Sequence, residues 1–325
     1  MNGPRRTVPD ENPGVDVELA AVRVAVAVPT YRRPDHLARL LPVLVEQCLG
    51  LTARILVVDN DPSGGAEDVV RPWSHAVSYL HEPAPGIAAA RNRALDAAAG
   101  DDVLVFIDDD ELPGPGWPAE LVRRWVEWRC TAVAAPVRWD LTVDAPWARA
   151  SAVLRRSRRP TGATVQGAAT NNLLLDVAAT RALGLRFDER FGLSGGEDTM
   201  FTRLLVRRGG TIRWCDEAEV VEPVPAHRAT RRWLLRRTFR AGTTWSRIHL
   251  LLAGPRLRRE RARLGLLGRG VLRIATGSLR LAAGAGGRHL DDRAQGLCTL
   301  ASGAGMVLGA LGYTHQEYTR RGSRL

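Results

Sequence analysis

Short apolar runs alternate with helical patterns through the first third of this 325-residue chain, and that alternation constrains the fold more than any other feature. The runs predicted to be strands are residues 22–28, 54–58, 77–80 and 103–107. A pattern of leucines at helical spacing begins at Pro34, and an alanine-rich helical pattern runs from Gly86 to Ala99. Alternating strands and helices predict an α/β fold, with a mostly parallel sheet and helices on both faces.

Three of these predicted strands end in polar turns. The turns are TYRR at residues 30–33, DND at residues 59–61 and DDDE at residues 108–111. Ligands of parallel α/β sheets bind beyond the carboxyl ends of the strands. The sequence therefore predicts that the three turns meet at one ligand-binding crevice.

The second half of the chain is less regular. Residues 133–139, 172–175 and 211–215 are predicted to be strands, and residues 197–208 have helical spacing. From Arg231 onward, arginine-rich helices dominate.

Positive charge is concentrated at the end of the chain. All 46 basic residues are arginine, and the net charge is +11. Residues 226–325 hold 20 arginines against four carboxylates, a net charge of +16, so the preceding residues carry −5. Such a region binds nucleic acid, an anionic membrane surface or an acidic substrate. Aromatic residues are sparse among these arginines, which argues against nucleic acid because single strands need stacking surfaces.

Residues 294–314 form an uncharged stretch of 21 residues, about the length that spans a bilayer. Gly305 and Gly309 within it have the GxxxG spacing of closely packed helices. Because the stretch is crowded with small residues, a packed or interfacial hairpin is favoured. A membrane span and a buried core helix are the alternatives.

The cysteines and the N-terminus predict a reducing, cytoplasmic location. The four cysteines are widely spaced and contain no CxxC pair, so neither a zinc site nor a disulfide framework is indicated. Residues 1–14 are polar and lack the apolar core of a signal peptide. Residues 1–20 are predicted to be a flexible leader.

Two carboxylate clusters are candidates for chemistry. The run from Asp108 to Glu111 would repel itself unless a cation neutralises it, which favours magnesium or manganese over a solvated turn. Glu197 and Asp198 follow two glycines and open a helix, where they either cap the helix or supply a general base. The phosphate-binding GxxxxGK[ST] loop and the GxSxG elbow are both missing.

Five motifs, taken in order, resemble those of a family 2 glycosyltransferase of GT-A fold. They are VPTYRRP at residues 28–34, VVDND at 57–61, PGIAAARN at 85–92, FIDDDE at 106–111 and GGEDTMF at 195–201. The stretch FDERFG at residues 187–192 and the arginine-rich end are similar to bacterial exopolysaccharide enzymes of the succinoglycan glucosyltransferase type. The resemblance covers about residues 22–250.

The resemblance implies a role for each matching residue. The residues implied to bind the nucleotide sugar are Pro29, Thr30, Tyr31, Arg32, Asp59, Asp61, Arg91, Asn92, Asp108 and Asp109. Asp59 would accept a hydrogen bond from the base, commonly uracil. Asp108 and Asp110 would form the DxD pair that holds a manganese or magnesium ion on the diphosphate.

The acceptor side is implied in the same way. Asp198 would be the general base for the acceptor hydroxyl, with Glu197 beside it, and the anomeric centre would be inverted. Gly196, Arg232 and Trp233 would shape the acceptor side. Residues 229–233 read ATRRW and lack the glutamine of the QxxRW motif of processive members, which favours the addition of a single sugar.

The domain organisation and location follow from the same resemblance. A GT-A domain is expected over residues 21–250, with a nucleotide-binding half at 21–112 and an acceptor half at 113–250. Residues 251–325 are expected to form a basic, helical, membrane-associating region. The multi-span membrane domain common in the family is missing, so a peripheral position on the inner face of the plasma membrane is expected.

The resemblance implies transfer from a nucleoside diphosphate sugar, with UDP-sugar favoured, to a saccharide or a lipid-linked saccharide in cell-surface polysaccharide synthesis. Nucleic acid is not expected as a partner. Two other functions stay open. One is a metal-dependent nucleotidyl- or phosphotransferase that uses the 108–111 carboxylates, and the other is a non-catalytic binder that uses the basic end of the chain.

Overall fold

The computed structural model describes residues 19–155, 158–192, 194–287 and 289–314. The strands are β1 Arg23–Thr30, β2 Thr52–Asp59, β3 Val77–His81, β4 Val103–Ile107, β5 Leu112–Pro113, β6 Ala132–Ala134, β7 Val137–Leu141, β8 Asn172–Asp176, β9 Ile212–Trp214 and β10 Val220–Val224. The helices are α1 Pro34–Gln47, α2 Glu67–Val70, α3 Ile87–Ala97, α4 Trp117–Trp128, α5 Pro146–Ser151, α6 Val177–Ala182, α7 Glu197–Arg207, α8 Arg231–Leu252, α9 Arg256–Gly287 and α10 Leu290–Ala310. The predicted leader falls almost wholly outside the described residues, as do residues 315–325.

The central sheet has the strand order β3-β2-β1-β4-β8-β6-β9. Strands β3, β2, β1 and β4 are parallel, β8 is antiparallel to both of its neighbours, and β9 is parallel to β6. The predicted α/β fold with a mostly parallel sheet is therefore confirmed.

Residues of two sizes alternate along β1, and they explain how the sheet is covered. Its valines pack in one core with the leucines of α1, while Ala25 and Ala27 pack in the other core with the alanines of α3. Small residues on both surfaces let α3 approach the sheet closely. Because β1 is buried on both faces, its sequence is a continuous apolar run.

The single strand predicted over residues 133–139 is wrong. The chain forms two strands there, β6 and β7, which belong to different sheets. Pro136 stands between them, and it has no backbone N–H to continue a ladder. Its carbonyl oxygen accepts a hydrogen bond from the Val220 amide at 3.1 Å, which starts a second sheet of order β5-β10-β7.

The uncharged stretch over residues 294–314 packs as a helix against its neighbours. The predicted hairpin is formed by α9 and α10 together, rather than within the stretch itself. The glycines 270, 277 and 284 of α9 face α10; a Cβ added at Gly277 would lie 2.7 Å from the Leu300 nitrogen. Gly309 of the GxxxG pair faces α8, where a Cβ would lie 2.7 Å from the Thr243 oxygen. Both glycine faces of α10 are thus covered by protein.

Of the helices within the described ranges, none combines the length and the apolar character needed to cross a membrane.

Candidate active site

The polar turns after β1, β2 and β4 meet at one edge of the sheet. Thr30 and Asp59 lie side by side in the parallel register of β1 and β2. The Thr30 hydroxyl donates to Asp109 Oδ2 at 2.8 Å, which ties the end of β1 to the turn after β4. The structure therefore brings these turns together, as the sequence predicts, and ligand binding at the crevice between them stays a prediction.

Arg32 stands at the mouth of this crevice. Its backbone is left-handed, with φ of 54°, an uncommon conformation for a residue with a side chain. The guanidinium donates to Asp61 Oδ2 at 3.1 Å and lies 5.2 Å from the centre of the Tyr31 ring. The Arg32 side chain is 57% exposed, so it can reach a ligand, whereas Pro29 is buried behind it.

Asp59 and Asn60 fix the shape of the loop after β2. The Asp59 carboxylate is 1% exposed and accepts from the Asp61 amide, the Ala66 amide and the Tyr79 hydroxyl. Asn60 donates to the carbonyls of residues 82 and 84 and accepts from the Gly86 amide at 2.9 Å. Recognition of the base by Asp59 stays a prediction.

Gly86 begins α3 at a position that only glycine fits. Its φ is 113°, and an added Cβ would lie 2.9 Å from the Gly192 Cα. This close approach brings α3 against the loop that precedes α7. Asn92 strengthens the contact, because its amide donates to the Phe187 carbonyl at 3.0 Å and accepts from the Phe187 amide at 2.8 Å. Asn92 therefore holds this loop against α3. Its role in nucleotide binding stays a prediction.

Arg91 joins the donor side of the crevice to the start of α7. Its Nη1 donates to Glu197 Oε1 at 2.5 Å, and its Nη2 donates to Asp108 Oδ1 at 3.2 Å. The side chains of Arg91 and Glu197 are 5% and 7% exposed. We call the three residues the Glu197–Arg91–Asp108 bridge. A guanidinium between two carboxylates fixes both in position because its donors have a rigid planar geometry.

The bridge contains two carboxyl groups with shifted pKa values. Burial raises the pKa of Glu197 to about 7; the charge of Arg91 opposes this shift, and the charge of Asp198 adds to it. Loss of hydration also raises the pKa of Asp108, again opposed by Arg91. Glu197 Oε2 is buried and has no hydrogen-bond partner among the described residues. Glu197 therefore holds its proton more readily than an ordinary glutamate.

Asp198 lies next to the bridge, at the first turn of α7. Its Oδ1 accepts from the amide and the hydroxyl of Thr199, and no arginine in the described ranges forms an ion pair with it. Gly196, with φ of 98°, precedes α7, and Thr244 of α8 occupies the space that a Cβ would need. Helix α8 thus holds the loop that presents Asp198.

Asp109 and Asp110 share one arginine. Arg33 Nη1 donates to Asp109 Oδ1 at 2.8 Å and to Asp110 Oδ2 at 3.0 Å. Arg228, which follows β10, donates to Asp110 Oδ2 and to Glu222 Oε1, both at 3.3 Å. Burial raises the pKa of Asp109. Arginines from two distant parts of the chain thus offset the charge of these carboxylates.

His36 completes a set of groups that could hold a divalent cation. Ligand atoms of His36, Asp109 and Asp110 lie within 4.8 Å of one another. His36 Nδ1 is buried without a hydrogen-bond partner in the described ranges, and burial followed by the charge of Arg33 lowers the pKa of His36. The two carboxylates suit magnesium or manganese, whereas a neutral imidazole is more typical of zinc, iron, copper or nickel sites. The predicted Asp108–Asp110 metal pair stays a prediction; in this structure Asp108 is paired with Arg91.

Two of the residues implied for the acceptor side, Arg232 and Trp233, lie at the start of α8. Trp233 packs with Trp139 and Trp147 in a small apolar cluster, and the Arg237 guanidinium lies 5.3 Å from its ring centre. Arg232 is exposed. A role for Arg232 and Trp233 in acceptor binding stays a prediction.

Sequence reasoning missed four residues of this crevice: Asn60, Arg33, His36 and Arg228. The first three lie in or beside recognised motifs, so their neighbours carried a signal that could have found them. The only sequence signal for Arg228 was its position directly before the ATRRW stretch. Its distance of 118 residues from Asp110 hides the contact from any local pattern.

The comparisons with known proteins agree on one family. The model described as Glycosyl transferase family 2 matches residues 25–190. The chain is 38% identical over 236 residues to the succinoglycan biosynthesis protein ExoM of Rhizobium meliloti (strain 1021), a match that covers 70% of this chain and 75% of that protein. It is 29% identical over 230 residues to the pre-mycofactocin glycosyltransferase of Mycobacterium tuberculosis (strain ATCC 25618 / H37Rv), covering 68% of this chain and 46% of that protein.

Solved structures share the fold. The mannosyltransferase PcManGT from Pyrobaculum calidifontis, in complex with GDP-Man and Mn²⁺, has a TM-score of 0.55 and 19% identity, with 86% of each chain covered. TarS 1-349 of S. aureus, in complex with UDP, has a TM-score of 0.50 and 15% identity, covering 84% of this chain and 89% of that chain. At these identities the likeness concerns the fold alone, and it confirms the GT-A fold predicted from the motifs.

Proposed function

Because this chain belongs to glycosyl transferase family 2, we propose that it moves a sugar from a nucleoside diphosphate sugar to a hydroxyl of a saccharide or lipid-linked saccharide, with inversion at the anomeric carbon. A UDP-sugar is the favoured donor. The observation that carries the proposal is the Glu197–Arg91–Asp108 bridge. It joins the acidic turn expected to bind the donor to the helix that presents Asp198, so that both reactants would share one crevice.

The likeness to a succinoglycan biosynthesis protein supports a role in the synthesis of a cell-surface polysaccharide. That relative exceeds 30% identity, and the match spans three-quarters of its length. The pre-mycofactocin relative is less similar and is matched over less than half of its length, so it has less weight in assigning a product.

The donor side is suited to a departing diphosphate. Arg32 is exposed at the crevice mouth, and Arg33 and Arg228 lie beside Asp110. Fixed positive groups stabilise negative charge as it develops on a leaving group. A manganese or magnesium ion, held by Asp110 with Asp108 or with Asp109 and His36, would supply further positive charge for that leaving group.

Asp198 would take the proton from the acceptor hydroxyl. Its carboxylate is partly exposed and has no arginine partner among the described residues, so an acceptor hydroxyl could approach it. Glu197 is paired with Arg91 and holds the start of α7 in place. One base is sufficient for inversion, because the acceptor attacks the sugar directly and no glycosyl-enzyme forms.

We place the enzyme in the cytoplasm, against the inner face of the plasma membrane. The net charge of +16 over residues 226–325 supports attraction to anionic lipid headgroups. A lipid-linked acceptor would be met at that surface.

Calorimetric titration with UDP, GDP and CMP, with and without manganese, tests the donor site. Binding of one nucleotide that requires the metal and is lost in Asp110→Ala supports the proposal. Asp68→Ala is the matched control, because Asp68 is 84% exposed on α2 and should leave binding unchanged. A folded protein that binds none of the three nucleotides contradicts the proposal.

The nucleotidyl- or phosphotransferase alternative differs in its products. With a UDP-sugar and acceptor, glycosyl transfer releases UDP. Transfer of the sugar phosphate would release UMP instead, and transfer of the uridylyl group would release the sugar 1-phosphate. Chromatography of the nucleotide products therefore separates the two functions.

A further inference from the structure

Helix α9 exposes a row of large aliphatic side chains. They are Leu257, Leu264, Val271, Leu272 and Leu279, which are 66%, 69%, 59%, 63% and 72% exposed. Scattered apolar residues are ordinary on a protein surface, but five on one face of one helix form an apolar strip. At 1.5 Å per residue, the 32 residues of α9 extend about 48 Å.

The strip lies on the side of α9 that faces away from the protein. The buried side carries the glycines at 270, 277 and 284, which contact α10. Gly268, between Leu264 and Val271, has no atom within 4 Å of an added Cβ, as expected on the open side. The apolar strip is therefore not used by the packing of α9 within the chain.

The charge around the strip is predominantly positive. Helix α9 holds eight arginines and one carboxylate, Glu260, which pairs with Arg263 at 2.9 Å, and Arg280 pairs with Asp292 of α10 at 2.9 Å. Arg258, Arg269 and Arg273 are exposed and lie on one flank of the strip. At 100° per residue, the only charged side chain within the strip itself is Arg261.

We infer that the outer face of α9 docks on an anionic lipid bilayer, with the helix lying parallel to the surface. The aliphatic strip enters the boundary between headgroups and acyl chains, and the flanking arginines reach the lipid phosphates. This inference rests on the proposed function, in that a lipid-linked acceptor is met at such a surface. It also assigns membrane contact to α9, whereas the uncharged sequence of α10 is used in packing against α8 and α9.

Two other occupants fit the same face less well. A second copy of the chain would bring eight arginines against eight others, with only Glu260 and Asp292 on each side to offset them. Single-stranded nucleic acid binds through aromatic stacking, and the strip is wholly aliphatic. An anionic bilayer satisfies both the apolar strip and the basic flank.

Docking through α9 would also orient the crevice. Helix α10 packs against both α9 and α8, and α8 contacts the loop that presents Asp198. Arg247 of α8 donates to the Ser194 hydroxyl at 2.9 Å and to the Arg190 carbonyl at 2.9 Å. Because these segments pack together, docking through α9 would fix the distance and orientation of the proposed base, Asp198, relative to the bilayer.

Flotation with lipid vesicles tests the inference on the full-length chain. The probes are vesicles of phosphatidylcholine alone and of phosphatidylcholine mixed with phosphatidylglycerol. We expect the wild type to float with the mixed vesicles only, and the triple variant Leu264→Glu, Leu272→Glu, Leu279→Glu to lose flotation. Leu49→Glu is the matched control, because Leu49 is 75% exposed outside the C-terminal helices and should float like the wild type.

Three outcomes would overturn the inference. The wild type fails to float with the anionic vesicles, or the triple variant floats as well as the wild type, or light scattering shows a dimer that the triple variant dissociates while neither protein floats. Thermal unfolding of the triple variant confirms that it is folded. Metal-dependent UDP titration of the same variant distinguishes membrane docking from the proposed glycosyl transfer. If the variant binds UDP like the wild type but does not float, the substitutions have removed membrane docking and left the donor site intact.

Discussion

The arginines of the crevice and the arginines of α9 differ in their surroundings. Arg91 is 5% exposed and lies between two carboxylates, and Arg33 holds two others. On α9, eight arginines have two carboxylate partners, Glu260 and Asp292 of α10, and most of them face water. A buried, paired guanidinium fixes the positions of its partners, whereas exposed guanidiniums of one sign create a field that attracts an anionic surface.

The same contrast separates two kinds of glycine. Gly196 and Gly277 allow helices to approach closely, while Gly268 lies on the open face of α9. Residue type alone therefore does not predict the effect of a substitution in this protein. Matched substitutions in the two environments should therefore give different results.

The largest effect is expected at the proposed base. Asp198→Asn removes a proton acceptor and should lower the transfer rate by about 10²–10⁴, the usual contribution of a general base. Metal-dependent nucleotide binding should be unchanged, since Asp198 is assigned to the acceptor. Initial rates and calorimetry measure both, with Asp68→Asn on exposed α2 as the control. An unchanged transfer rate in Asp198→Asn would remove Asp198 from the mechanism.

Replacing a buried arginine and an exposed arginine by alanine should change the free energy of unfolding by different amounts. Arg91→Ala leaves Glu197 and Asp108 without their shared partner and should destabilise the protein by about 3–5 kcal/mol, as when one partner of a buried ion pair is removed. Arg273→Ala on exposed α9 should change the free energy of unfolding by no more than about 0.5 kcal/mol. Urea unfolding of the two variants measures the difference. Equal effects would mean that burial does not distinguish the two sets of arginines.

Glycine substitution compares the two faces of α9. Gly277→Ala places a Cβ 2.7 Å from the Leu300 nitrogen and should destabilise the helix packing by about 1–3 kcal/mol. Gly268→Ala meets no atom within 4 Å and should stabilise the helix by up to about 1 kcal/mol. Melting temperatures of the two variants should therefore move in opposite directions. A lower melting temperature for Gly268→Ala would show that the outer face is already covered by protein.

A dependence of stability on pH is expected at Glu197. Since burial raises the pKa of Glu197 to about 7, its contribution to stability is full below the ordinary pKa of a glutamate and is lost as pH rises through about 7. Glu197→Gln removes this titration, so the variant should gain stability relative to the wild type between about pH 5 and pH 8. Urea unfolding at the two pH values measures the change, with the exposed Glu67→Gln as control. A difference that does not vary with pH would contradict the buried position of Glu197.

Much of the parallel half of the sheet was predictable from sequence. Strands β1 to β4 and helices α1 and α3 have local patterns of apolar residues, because both faces of the sheet are covered. The polar turns at the strand ends were visible for the same reason, since they interrupt those patterns. The acidic turn after β4 and the pair at the start of α7 were identified by residue type and position alone.

The tertiary structure decided everything that depends on contacts between distant segments. Pro136 divides an apparent strand because the two pieces pair with different partners. Arg228 reaches Asp110 only because the chain returns along β10. The pKa of Glu197 is raised by its burial, and the charge of Arg91 opposes this shift. Helix α10, the more apolar segment, is covered on two sides by glycine contacts with α8 and α9. Helix α9 uses its glycine face for this packing, so its aliphatic strip faces outward. Sequence patterns report what each segment can bury, whereas packing determines which segment is buried.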